Sequence, residues 1–166
     1  MLILLLLAGH SVRLCEAGCA LTPDANGHVD LPSTWINIGV QAFYGCVDLK
    51  TITIPSSVTS IQSQAFGESG LESLTVPGSI EQIGAAAFYK ASALKWITVE
   101  GNGMSSVGVH AFESCISLVS ATLPNSVVTL GYQAFYQCLS LVSVNLGTSL
   151  TLIDKHTFAF CRSLQS

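Results

Sequence analysis

The apolar positions of this chain return with a long, fixed period. Phenylalanine stands at Phe43, Phe66, Phe88, Phe112, Phe135 and Phe158, at intervals of 23, 22, 24, 23 and 23 residues. An aliphatic residue precedes each by five positions (Ile38, Ile61, Ile83, Val107, Leu130, Ile153), and a leucine follows each by five or six (Leu49, Leu71, Leu94, Leu118, Leu141, Leu164). A period in the low twenties is the signature of a solenoid, whose units bury their apolar faces only against one another. A shorter alternation lies inside each unit. In Thr51-Ile52-Thr53-Ile54 the isoleucines fall on one side and the threonines on the other, which predicts a short parallel strand with one buried face. Pro55 follows at once and ends the strand, because proline cannot donate to the ladder. Pro32, Pro77 and Pro124 fill the same slot, with Glu100 and Gly147 in the two remaining units. Around Ala42-Phe43 too little chain separates Gly39 from the strand for a long helix, so a single helical or 3-10 turn is expected on the other side. Its phenylalanine should stack on that of the next rung.

The pattern divides the chain. Val29, Leu31 and Pro32 lie 23 residues before Ile52, Ile54 and Pro55, so residues 21–37 read as an N-terminal capping half-repeat. Asn26-Gly27 is the turn into its strand, and Trp35 is placed to cover the core end. Residues 38–166 then hold six repeats. The last is incomplete, which fits a longer protein. Residues 1–20 share nothing with the repeats. Leu2 to Ala8 is an apolar run, too short for a membrane span of about 20 residues and near the lower limit of about 7 for a signal core. It is expected to be a signal peptide, with an N-terminal extension as the alternative. That places the protein in the secreted or cell-surface class, with a cytoplasmic location as the rival.

The repeated residues also carry a likeness. The run Ile-Gly-x-x-Ala-Phe-x-x-Cys-x-x-Leu-x-x-Ile-x-Ile-Pro-x-Ser-Val, nearly intact from Ile38 to Val58, resembles the BspA-like type of leucine-rich repeat, and the likeness covers residues 29 to 166. Gln62 departs from its glycine, and Ser69 and Ala91 from its cysteine. The resemblance implies a leucine-rich-repeat solenoid that binds rather than catalyses. It also implies a secreted or surface-anchored setting, with adhesion or protein-protein recognition as the role. An intracellular scaffold, or a structural segment of a longer surface protein, is the alternative.

Composition narrows the partners. Charged residues are 10% of the chain, with Lys+Arg 6 against Asp+Glu 10, so no basic cluster exists to neutralise phosphates and nucleic acid is excluded as a partner. Cys46, Cys115, Cys138 and Cys161 share one slot, three residues after the phenylalanine. The slot reads as a place for small buried side chains, where free cysteine packs as a small hydrophobe. Cys15 and Cys19 lie outside the repeats and are placed to pair as a staple of the cap, although cleavage after Ala17 would remove Cys15. No zinc spacing occurs. His110 and His156 share the position before the small residue, two rungs and roughly 10 Å apart, too far to hold one metal ion. Asp24-Ala25-Asn26-Gly27-His28-Val29-Asp30 lacks the spacing and the late glutamate of a calcium loop and reads as a turn. Gly101-Asn102-Gly103 marks a one-residue insertion rather than a nucleotide loop. No catalytic residue, metal or cofactor is expected.

The outward positions of the strands remain. Thr51 and Thr53, Ser73 and Thr75, Trp96 and Thr98, Ser120 and Thr122, and Ser143 and Asn145 form an uncharged strip rich in hydroxyls. Threonine favours strands in any case, so solvation alone could explain it. As a recognition surface, the strip would use Trp96 as its anchor, against a protein (of the extracellular matrix or a host surface) or a glycan.

Overall fold

The computed structural model describes residues 19–165. Their chain winds as a parallel-strand solenoid with no helix among them. The strands predicted from the Thr-Ile alternation are β1 (His28–Asp30), β3 (Thr51–Thr53), β5 (Ser73–Val76), β7 (Trp96–Val99), β9 (Ser120–Thr122) and β11 (Ser143–Asn145). They pair in parallel and in register, Ile52 on Val29 and Ile97 on Leu74. The ladder is interrupted between β3 and β5, giving a two-stranded and a four-stranded sheet. This break falls in the shortened repeat, where Leu71 follows Phe66 by five positions instead of six.

Each complete rung carries a second strand that the alternation did not predict. β2 (Asn37–Ile38), β4 (Ser60–Ile61), β6 (Gln82–Ile83), β8 (Ser106–Val107) and β10 (Thr129–Leu130) form a five-stranded parallel sheet. Two residues are too few to show a period of two. Their aliphatic members are the residues five places before each phenylalanine, and all are buried.

The expected helical or 3-10 turn is also corrected. The Ala-Phe segment is a chain of tight turns, with Ala42 N–H bonded to Gly39 O at 3.2 Å and Tyr44 N–H to Gln41 O at 3.1 Å. Gln41, Gln64, Ala86, His110 and Gln133 sit at φ between 54 and 57°. A left-handed residue reverses the curl that a helix would continue and costs about 1–2 kcal/mol. The compensation lies between rungs, because the turned-out N–H groups bond to the next rung: Gln41 to Ser63 O at 3.1 Å, Phe43 to Ala65 O at 2.7 Å and Gly45 to Gly67 O at 2.8 Å.

The core is the stack of phenylalanines. From Phe43 to Phe158 successive rings lie 4.9–5.4 Å apart and within 12° of parallel. The alanine slot lets the rungs approach: Ala65, Ala87, Ala111 and Ala134 are fully buried. Thr157 takes that slot in the last repeat, and its buried hydroxyl has no hydrogen-bond partner among the described residues. At the start of the stack Trp35 lies against Phe43 at 6.5 Å, tilted by 35°.

Candidate functional site

The sheet of longer strands has one face in the core and one open. All ten residues of the predicted strip stand on the open face in two rows. Ser73, Trp96, Ser120 and Ser143 are cross-strand neighbours in one row, and Thr75, Thr98, Thr122 and Asn145 in the other. The intervening Leu74, Ile97 and Ala121 point inward and are buried. Trp96 is 50% exposed, because the small Ser73 and Ser120 beside it leave its ring uncovered. Next to it Lys95 pairs with Glu72 of the preceding rung at 2.9 Å. The ammonium hydrogen bond holds the Glu72 carboxyl below its ordinary range.

The rows extend one rung further than sequence reasoning took them. His28 pairs with Thr51 and Asp30 with Thr53. The imidazole lies across the face, Nδ1 at 2.7 Å from Thr51 Oγ1 and Nε2 at 3.2 Å from Asp30 Oδ1. Hydrogen bonds from Thr53 and then His28 lower the Asp30 pKa. The signal is present in the sequence, since Val29 lies one period before Ile52 and its neighbours His28 and Asp30 follow from the alternation. At the downstream ends of β3, β5 and β7 the face sinks into a depression of about 240 Å³ lined by Ile52, Thr53, Ile54, Thr75, Pro77 and Glu100. It opens beside the interrupted ladder, and Glu100 stands there in a proline slot.

The cysteines divide differently from the sequence expectation. Cys46 is buried, but it is not a free thiol: it forms a disulfide with Cys19, with Cα atoms 5.4 Å apart. The suggested Cys15–Cys19 staple is thereby overturned, and Cys15 itself lies outside the described residues. The cause is the path of the cap, which brings Ala20 N–H to Ala42 O at 2.6 Å and so sets Cys19 against the first cysteine slot. Cys115 and Cys138 are free, buried thiols, as small side chains in that slot should be. Their thiols donate to Phe88 O and Phe112 O at 3.1 Å, and burial pushes the Cys115 thiol pKa up.

The remaining candidates are structural. Asp24 accepts from the N–H groups of Asn26 and His28 at 2.8 and 2.9 Å, a turn closed at Gly27 with φ 81°. The His28 and Asn26 bonds hold its carboxyl below its ordinary range. His110 and His156 are not exposed in isolation. They flank Tyr132 edge-on at 5.8 and 5.2 Å, and each meets an acid, Glu113 at 2.5 Å and Asp154 at 3.3 Å. Among the described residues no cluster of three metal-ligating side chains occurs, and no helix is long and apolar enough to cross a membrane. The apolar run Leu2 to Ala8 lies outside them.

Comparison with known proteins is consistent with this architecture. The family model for the BspA type leucine rich repeat region matches in 6 copies, over residues 25–107 and 81–166. Search of curated proteins gives no match. Among solved structures, a leucine-rich repeat protein from Eubacterium ventriosum is similar at 27% identity and TM-score 0.81, over 89% of this chain and 40% of that one. The T. pallidum leucine rich repeat protein matches at 28% and 0.64, over 84% and 56%. The pneumococcal vaccine antigen PcpA matches at 29% and 0.62, over 74% and 32%. A leucine rich cell surface protein from Faecalibacterium prausnitzii matches at 28% and 0.50, over 83% and 46%. The chain thus spans between about a third and just over half the length of these proteins.

Proposed function

Because the chain belongs to the BspA-type leucine-rich repeat family, we propose that it is a non-enzymatic recognition solenoid, exported and displayed at the cell surface, that mediates adhesion through the open face of its longer strands. The observation that carries the proposal is Trp96, a large aromatic half-exposed in the middle of a rigid, uncharged strip. Such a side chain is a natural anchor, and the ordering cost of the strip is met by folding, so a partner gains from preorganisation.

Two observations support export over an intracellular scaffold. The Cys19–Cys46 disulfide belongs to oxidising compartments, and cleavage after Ala17 would retain both of its cysteines. Similar proteins include one described as a cell surface protein and one as a vaccine antigen.

The test has two parts. Differential alkylation of the product from its native cells is expected to find Cys19 and Cys46 oxidised and the N-terminus processed; a full-length product with both thiols reduced would end the surface reading. On immobilised extracellular matrix proteins and host cells, wild type is expected to bind and Trp96→Ala to lose about 2 kcal/mol or more with little change in Tm. Equal binding by the two would remove the strip from the function.

A further inference from the structure

We propose that the open face is a carbohydrate site, and that its ligand is a neutral hexose polysaccharide seated on Trp96 and reaching into the depression walled by Glu100. This rests on the recognition reading above and names the class of partner.

A pyranose ring presents an apolar face of C–H bonds and an edge of hydroxyls. The site offers a counterpart to each. Trp96 supplies a flat apolar surface standing clear of its neighbours, since Ser73 and Ser120 flank it in register. C–H groups pack favourably on the electron-rich face of such a ring. The hydroxyl edge needs groups that both donate and accept, and Thr75 and Thr98 supply them on adjacent strands. Glu100, whose carboxylate can only accept, lines the depression together with the apolar Ile54 and Pro77. A few polar groups converging over apolar lining is the usual composition of a small-molecule site. Trp96 opens β7 and Glu100 follows its last residue, so the two lie about 13 Å apart along the strand, room for a short run of sugar rings.

Charge selects among glycans. Every outward position from β3 to β11 is uncharged. Lys95, next to Trp96 in the chain, is held in a 2.9 Å ion pair with Glu72, on which Lys50 also acts electrostatically. The ammonium beside Trp96 is thus already engaged by a carboxylate and does not invite a sulfate or uronate, and Glu100 would repel one. A protein partner fits less well. Protein hot spots sit in desolvated apolar surroundings, and Trp96 is the one large apolar group on the outward rows.

Affinity electrophoresis through gels containing β-glucan, mannan or galactan, with heparin and polygalacturonate as anionic counterparts, tests the proposal on the full chain. Retardation is expected in at least one neutral gel and in neither anionic gel. Trp96→Ala should weaken it about thirtyfold, the hot-spot threshold expressed as a ratio. Trp96→Phe should retain most of it, and Glu100→Gln should weaken it severalfold. In a Trp35→Phe background the retarding polysaccharide should change the emission of Trp96, then the sole indole. Absence of retardation in every neutral gel, preference for an anionic gel, or equal retardation of Trp96→Ala overturns the proposal. If matrix proteins are captured in a Trp96-dependent way while neutral polysaccharides are not, the glycan assignment fails and the recognition reading stands. If Trp96 matters in neither assay, both fail.

Discussion

Replacing Phe112 by alanine probes the stack on which the solenoid depends. Phe112 is fully buried, with Phe88 at 5.0 Å on one side and Phe135 at 4.9 Å on the other. Truncating a buried phenylalanine costs about 3–5 kcal/mol, depending on how far the site collapses. Here collapse is opposed by the backbone. Phe112 N–H bonds to Ala134 O at 2.7 Å and Phe88 N–H to Ala111 O at 2.7 Å, so the rungs cannot close on the cavity. Two parallel stacks are lost as well, each worth about 0.5–1.5 kcal/mol beyond area, which places the loss near the upper end, about 5 kcal/mol. For a chain of this length that is a fall in Tm of roughly 10–20 °C. Thr122 on the open face of the same rung is the control, and its alanine variant should stay within about 0.5 kcal/mol. Urea unfolding followed by circular dichroism reads both, with hydrogen exchange to detect separate melting of the two halves, a hazard of repeat arrays. Similar losses at Phe112 and Thr122 would refute the inside/outside assignment.

Two further outcomes are expected. Reduction of Cys19–Cys46, which links positions 27 residues apart, should destabilise the cap by up to about 3.5 kcal/mol on the chain-entropy account. Emission from Trp35, which rests on Phe43, would report it, and an unchanged transition with and without reductant would refute the clamp. Gly131→Ala should cost about 1–3 kcal/mol as overpacking, since a Cβ there would lie 2.4 Å from backbone atoms of Gly108 and Val109. Gly39→Ala, in the same slot of the first repeat with nothing within 4 Å among the described residues, should be tolerated, and equal thermal shifts for the pair would contradict the rung spacing.

The period of the apolar residues determined the solenoid, the inward row from Val29 to Val144 and the outward row from Thr51 to Asn145. A repeat brings each residue against its own equivalent one unit away, so spacing alone specifies those neighbours. The phenylalanine stack and the exposure of Trp96 between two serines are therefore legible in the chain. What joins inequivalent positions is not. The partner of Cys46 depended on how the cap folds back to place Ala20 against Ala42. The two-residue strands of the second sheet are too short to imprint an alternation, and the left-handed turns occur at glutamine, alanine and histidine, residues without a turn signature. The slots of Gly39 and Gly131 look identical in sequence, yet among the described residues only Gly131 has another rung behind it. The depression beside Glu100 arises where a one-residue-shorter repeat interrupts the ladder, so it depends on how neighbouring backbones diverge in space, which no single repeat encodes.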